Sequence, residues 1–292
     1  MRNRVISGKI RVCGIIGDPI EHSMSPAIHN AAFKETGIDY LYVPFRVKKE
    51  GLSKAIEGMR ALNIRGLSVT IPHKVAVIPL LDELDPLAER IGAVNTIVND
   101  DGVLTGYNTD ATGFLQTLLE RGVEPEKKNV VILGAGGASR AISFILAERG
   151  AHLVILNRLL ELDWAEELAS RISQIFTKEV EALELNEENL AKVLEKADIV
   201  VNATSVGMSP NIGETPIPAK LLKPGLIVFD IVYNPIKTRL LREAEVAGAK
   251  TIGGLDMLVW QGVLAFEKWT GLKAPVKVMK EEAIKGLQEH EN

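Results

Sequence analysis

Short runs of wholly apolar residues alternate along this chain with stretches in which apolar positions recur every three or four residues, the signatures of strands and amphipathic helices. The alternation is clearest over residues 129–158. The run 130–133 is apolar throughout, three glycines follow within four positions (Gly134, Gly136, Gly137), residues 139–149 are amphipathic, and after Gly150 a second apolar run fills 153–156. This predicts strand, tight turn, helix and strand. Beyond it, helices are expected over 164–175, 187–196 and 238–247, and buried strands over 199–202 and 226–230. Such βα alternation argues for a doubly wound parallel sheet whose ligands lie at the carboxyl ends of the strands.

The first third of the chain reads differently. Strands are expected over 12–17, 40–47 and 66–71, with a helix between Ser25 and Thr36 closed by Gly37 and another over 52–62. A helical segment is expected to open at His73-Lys74 after Pro72, then a short helix over 85–91 and a hairpin over 93–110 turning at 99–102. Asp110 should start a helix running to Arg121, and the polar stretch 122–128 leads into the glycine turn. Near the end, 255–270 is apolar nearly all round, which marks a buried helix, and 276–288 reads as the last one.

Composition narrows the classes of function. A length of 292 residues suits one large or two ordinary domains. The single Cys13 excludes an internal disulfide framework, and the five histidines form no metal-ligand spacing, so no metal is expected. A formal charge of −4 without a basic stripe argues against nucleic acid. The basic segment 1–11 lacks a signal-peptide apolar core, and no run reaches membrane-spanning length, so a cytoplasmic protein without a membrane partner is expected.

Candidate chemistry gathers at helix starts and strand ends. The glycine turn lets a backbone approach a pyrophosphate at the positive end of a helix, so the expected ligand is a dinucleotide. The third glycine of G-x-G-x-x-G is replaced by Ser139. Where an NAD protein usually carries an acid, this chain has Asn157 and Arg158. The guanidinium suits a 2′-phosphate and favours NADP, whereas Glu161 or Asp163 supplies the acid if the loop folds back. Ser25-Pro26 is a helix start, and Ser23 and Ser25 either cap it or donate to a carboxylate at its positive end. Lys74, in an expected first turn, is either a solvated charge or an amine biased by the helix dipole toward proton transfer. Asp110 is favoured by the next helix dipole or is catalytic. Asn95 and Gln261 interrupt apolar stretches and need partners or a ligand. The stretches 202–208 (NATSVGM), with Thr204, and 230–235 (DIVYNP), with Ile231, should line the cofactor groove, although Tyr233 and Asn234 can equally be turn residues.

Together, HSMSP (22–26), VTIPHK (69–74), IGAVNT (91–96), GYNTD (106–110), GAGGASR (134–140), NATSVGM, YNP and the QG of the buried helix make the chain resemble shikimate dehydrogenases, of the shikimate/quinate dehydrogenase family, along nearly its whole length. The resemblance implies a two-domain α/β fold. An N-terminal α/β catalytic domain of residues 1–111 is completed by helices in 257–292, and a Rossmann-like doubly wound NADP-binding domain occupies 112–256. It implies reversible NADPH-dependent reduction of 3-dehydroshikimate to shikimate. By position it implies Lys74 and Asp110 as the catalytic pair, with Ser23, Ser25, Thr70, Lys74, Asn95, Asp110, Tyr233 and Gln261 on the substrate. It further implies Gly134, Ala135, Gly136, Gly137 and Ala138 on the pyrophosphate, Asn157 and Arg158 at the 2′-phosphate end, and Gly254 near the nicotinamide.

Four positions depart from the family pattern. Ser68 replaces an asparagine, Leu159 a threonine, Leu162 a basic residue and Asp256 a glycine. The two leucines leave Arg158 more isolated and relax the expected NADP preference. The competing readings are a quinate/shikimate dehydrogenase using NAD and a non-catalytic nucleotide-responsive module. The sequence leaves a homodimer open.

Overall fold

The computed structural model describes residues 7–291, with side chains as far as Glu289. Residues 1–6, within the basic N-terminal segment read above, lie outside the described residues, as does the side chain of His290. The chain forms two compact units, Met1–Thr109 with Gln261–His290, and Asp110–Trp260 with Glu291–Asn292. The boundaries fall at 109 rather than 111 and at 260 rather than 256. Asp110 belongs to the second unit because it opens a helix whose Phe114 ring stacks on Phe229 at 4.7 Å. Residues up to Trp260 stay there because Trp260 Nε1 donates to Glu120 at 2.9 Å and Asp256 pairs with Arg121 at 2.5 Å. That ion pair gives Asp256, a departure from the family pattern, its own structural reason.

In the first unit the order is β1 (Arg11–Gly17), α1 (Ser25–Thr36), β2 (Tyr40–Arg46), α2 (Leu52–Ala61), β3 (Gly66–Val69), β4 (Glu83–Leu84), α3 (Pro86–Ile91), β5 (Thr96–Asp100) and β6 (Val103–Tyr107). The strands form one sheet in the order β2-β1-β3-β5-β6-β4. β2, β1 and β3 run parallel, and β5 with β6 is the expected antiparallel hairpin. Ile16, Leu67 and Val69 of the strands pack against Ile56 and Met59 of α2. One expected element is absent. After Pro72 the chain makes turns, followed by a single 3-10 turn at Ile78–Leu80. Pro79 stops an α-helix here, because it has no N–H to donate to the Val75 carbonyl. The dipole argument for Lys74 therefore has no helix behind it.

In the second unit α4 (Asp110–Glu120) leads to β7 (Asn129–Leu133), α5 (Gly137–Glu148), β8 (His152–Asn157), α6 (Leu162–Phe176), β9 (Glu181–Glu184), α7 (Glu187–Leu194), β10 (Ile199–Asn202), β11 (Ile227–Asp230), α8 (Arg239–Val246) and β12 (Lys250–Gly253). The sheet order is β12-β11-β10-β7-β8-β9 and every pair is parallel. Counted along the chain this is the 3-2-1-4-5-6 order of doubly wound dinucleotide folds, with its reversal between β7 and β10. Its strands carry continuous apolar runs, and on one face Val131, Val200 and Val228 pack with Leu190 of α7 and Leu240 of α8. α9 (Leu255–Thr270) carries the chain back to the first unit, and α10 (Val276–Glu291) ends it.

Candidate functional site

At the reversal point of the parallel sheet the sequence builds an anion cradle. Gly134, at the end of β7, has φ +98°, and a β-carbon there would lie 3.0 Å from Thr204 Cγ2, so the turn and the NATSVGM loop are in contact. Gly136 caps α5 without any side-chain hydrogen bond, and a β-carbon there would meet no atom within 4 Å. Protein packing does not require glycine at 136; the open space lies in front of unsatisfied helix amides, where a pyrophosphate fits. Ser139 is fully buried and its hydroxyl donates to the Gly134 carbonyl at 2.6 Å. The replacement of the third motif glycine therefore closes the turn instead of loosening it. Ala135 is buried, while Gly137 and Ala138 are partly exposed at the helix start.

The loops after β10 and β11 are fastened by a network that sequence reasoning did not assign. Asn202 Nδ2 donates to Asp230 at 2.9 Å, and Asp230 also accepts from Thr238 Oγ1 at 2.6 Å and Val232 N at 3.1 Å. Asn202 Oδ1 accepts from the Thr204 hydroxyl at 2.6 Å. Burial outweighs these donors and raises the Asp230 carboxyl to about 6. The signal in the sequence was a polar residue closing each apolar strand. Gly254 is required for space, since a β-carbon would lie 2.1 Å from the Ile231 carbonyl oxygen. This brings together two of the expected cofactor positions. Tyr233, on the same loop, is partly buried, and burial raises its phenol.

At the end of β8, Asn157 is buried and its side chain donates to the Glu161 carbonyl at 2.6 Å, so its amide shapes the turn. Arg158 is exposed and forks onto the Glu161 carboxylate, with Nε to Oε2 at 2.7 Å. The acid that the sequence reading placed nearby is thus paired with the base.

In the first unit, Ser25 is not the cap of α1. The helix starts at Ser25 with Met24 in the cap position. The Ser25 amide donates to Ser23 Oγ at 3.3 Å, and its hydroxyl bonds with Tyr42, which donates to Ser68 at 2.8 Å. Ser68, another departure from the pattern, is the acceptor that ends this buried hydroxyl chain. Backbone bonds bring Thr70, Lys74 and Asn95 to one end of the sheet: Val69 N to Asn95 O at 2.8 Å, and Val94 N to Lys74 O at 2.7 Å. His73, unassigned from sequence, holds the turn before Lys74 through Nε2 to the Val47 carbonyl at 2.6 Å. Asn95 finds partners in Thr109, accepting its amide at 2.7 Å and donating to its hydroxyl at 2.9 Å. It thereby fixes the residue before Asp110, which is itself 5% exposed at the start of α4. Gln261 lies on α9 and stays partly exposed.

An all-parallel, doubly wound sheet with an open glycine turn at its reversal makes this a two-domain α/β protein with a Rossmann-like nucleotide-binding fold. Family models match in three blocks: the shikimate dehydrogenase substrate binding domain over residues 15–97, shikimate/quinate 5-dehydrogenase over 117–233, and the shikimate 5′-dehydrogenase C-terminal domain over 254–284. The shikimate dehydrogenase (NADP(+)) of Dehalococcoides mccartyi strain CBDB1 is 51% identical over 278 residues, covering 95% of this chain and 96% of its own. The Listeria monocytogenes shikimate 5-dehydrogenase, solved with shikimate and NAD, is 44% identical with a TM-score of 0.87, covering 95% and 98%. The Thermus thermophilus enzyme, solved with NADP(H) and shikimate, is 38% identical with a TM-score of 0.84, covering 94% and 99%. The chain belongs to the shikimate dehydrogenase family.

Proposed function

We propose that this chain catalyses the reversible NADPH-dependent reduction of 3-dehydroshikimate to shikimate, in the cytoplasm, on the route to aromatic amino acids. The observation that carries the reading is half identity, over nearly the full length, to a relative named for this reaction with NADP(+). The open cradle at Gly136 supports it independently. Gly134, Ala135, Gly136, Gly137 and Ala138 would hold the pyrophosphate, Asn157 and Arg158 the adenosine end, and Thr204, Ile231 and Gly254 the remainder of the nucleotide. Ser23, Ser25, Thr70, Asn95, Tyr233 and Gln261 would hold the acid and its ring hydroxyls. On this reading the unit of Met1–Thr109 with Gln261–His290 binds substrate and the unit centred on Asp110–Trp260 binds NADP.

A nucleotide held there would supply the hydride. Lys74 would be the general acid that gives a proton to the carbonyl oxygen on reduction and the general base in the oxidative direction. Asp110 is the second member of the pair and orients the reacting hydroxyl. The test is NADPH oxidation with and without 3-dehydroshikimate, which should be fast only with the acid present. Lys74→Ala should lower kcat by about 10²-fold with KM nearly unchanged. A large rise in KM with little loss of kcat would make Lys74 a binding residue. The pairing of Arg158 with Glu161 favours NAD use as the second reading, with both nucleotides and both shikimate and quinate compared in one assay.

A further inference from the structure

The turn after β8 carries a built-in competitor for the phosphate that Arg158 is expected to read. The segment 157–163 (NRLLELD) holds one guanidinium and two carboxylates. Glu161 is not loosely placed beside Arg158. Its amide donates to the Arg158 carbonyl at 3.0 Å, its carbonyl accepts from Asn157 Nδ2 at 2.6 Å, and Asn157 is itself held by Leu185 N at 2.7 Å. The carboxylate then meets the guanidinium through both oxygens. The Arg158 fork holds the Glu161 carboxyl below the usual carboxylate range. A fork–fork pair occupies the same planar donors that a phosphate needs.

We propose that Glu161 is a nucleotide-selecting residue of this chain. With a 2′-phosphate it must yield Arg158, and with a free ribose it keeps Arg158 and accepts from the 2′-hydroxyl, so discrimination between NADPH and NADH is shallow. This rests on the nucleotide-dependent reading above. Its supports are the geometry of the turn, the position at the end of β8 beside the glycine turn (Gly134 N donates to Leu156 O at 2.7 Å), and leucines at 159, 160 and 162 that add no second cation.

Calorimetric binding of adenosine 2′,5′-bisphosphate and of AMP to the full chain tests it without turnover. Glu161→Gln should tighten the bisphosphate by about 5- to 10-fold and weaken AMP by about 2-fold, while Arg158→Ala weakens the bisphosphate by about 10-fold or more. In the steady state Glu161→Gln should raise the NADPH to NADH ratio of kcat/KM by the product of the two effects, about 10- to 20-fold. Glu161→Asp, which shortens the arm and breaks the fork, should move the bisphosphate in the same direction by less and serves if the glutamine variant folds poorly. Bisphosphate affinity within 2-fold of the parent in both Glu161 variants would overturn the proposal, as would an Arg158→Ala protein that binds the bisphosphate like the parent. A parent that binds bisphosphate but never reduces 3-dehydroshikimate would overturn the activity reading and leave the assignment of Glu161 standing.

Discussion

Two buried titratable side chains give the units opposite responses to acid. His29 is 1% exposed in the first unit, stacked on Tyr42 at 4.5 Å, with Nδ1 lacking a hydrogen-bond partner, and burial lowers its imidazole to about 3. The unfolded chain, near 6.5, takes up a proton that the folded one refuses, so its contribution is complete above about pH 6.5 and is lost as pH falls toward 3, by about 1.4 kcal/mol per unit. Asp230 in the second unit works the other way. Burial raises it to about 6, so the folded state holds its proton longer than the unfolded one, and stability declines as pH rises from about 4 to about 6 and is then level. Urea midpoints between pH 4 and 7 should therefore lose their acid-side slope in His29→Phe, whereas Asp230→Asn should steepen the net slope by removing the opposing contribution. No change of slope in either variant would mean that the groups titrate alike folded and unfolded. At this scale the sequence was partly legible. Residue types at motif positions were readable, but the partners of Ser68 and Asp256 were not, because Tyr42 and Arg121 come to them from 26 and 135 positions away through folding rather than through spacing.

The glycine turn is where an element's behaviour depends on one contact. Its strand and helix are dictated by the apolar run and by residues 137–148, but the angle at which they meet is held by the Ser139 hydroxyl on the Gly134 carbonyl, a buried bond of 2.6 Å. Ser139→Ala should cost about 1 kcal/mol from the lost bond and leave a carbonyl unsatisfied. Ser139→Gly, which restores the familiar motif, should cost more, because it also adds the helix penalty of glycine, about 1 kcal/mol. Chemical denaturation of the two variants orders them, and a glycine variant as stable as the parent would show that the hydroxyl contributes nothing. Strongly periodic or wholly apolar elements were legible for the same reason that they are stable: one pattern serves both. β4, β9 and β12 were not, since strands of two to four residues at the sheet margins carry no alternation to read. The helical segment expected to open at His73-Lys74 is a run of turns instead, since Pro79 lacks the N–H that would carry an α-helix past the Val75 carbonyl.

At the scale of the whole molecule, the first unit is completed by a segment that returns only after the entire second unit has been made. Trp269 is 1% exposed, its Nε1 donates to the Ile97 carbonyl at 3.0 Å across 172 positions, and a β-carbon on Gly66 would lie 2.1 Å from that nitrogen. Phe266 stacks on Phe33 at 5.6 Å in the same core. Periodicity shows that 255–270 is a buried helix but not which sheet it covers, so the discontinuous unit was legible only through the family resemblance. Long-range closure of this kind carries an entropic cost that the packed ring must offset. Trp269→Ala removes the ring and its hydrogen bond, and should cost about 3 to 5 kcal/mol. The loss should be confined to the first unit, because the second has its own core around Val131, Val200 and Val228. In a urea titration of this variant, shikimate binding should disappear at concentrations where adenosine 2′,5′-bisphosphate still binds with the parent's Kd. Simultaneous loss of both would mean that the parallel sheet cannot stand once the first unit opens, and that the two cores unfold as one.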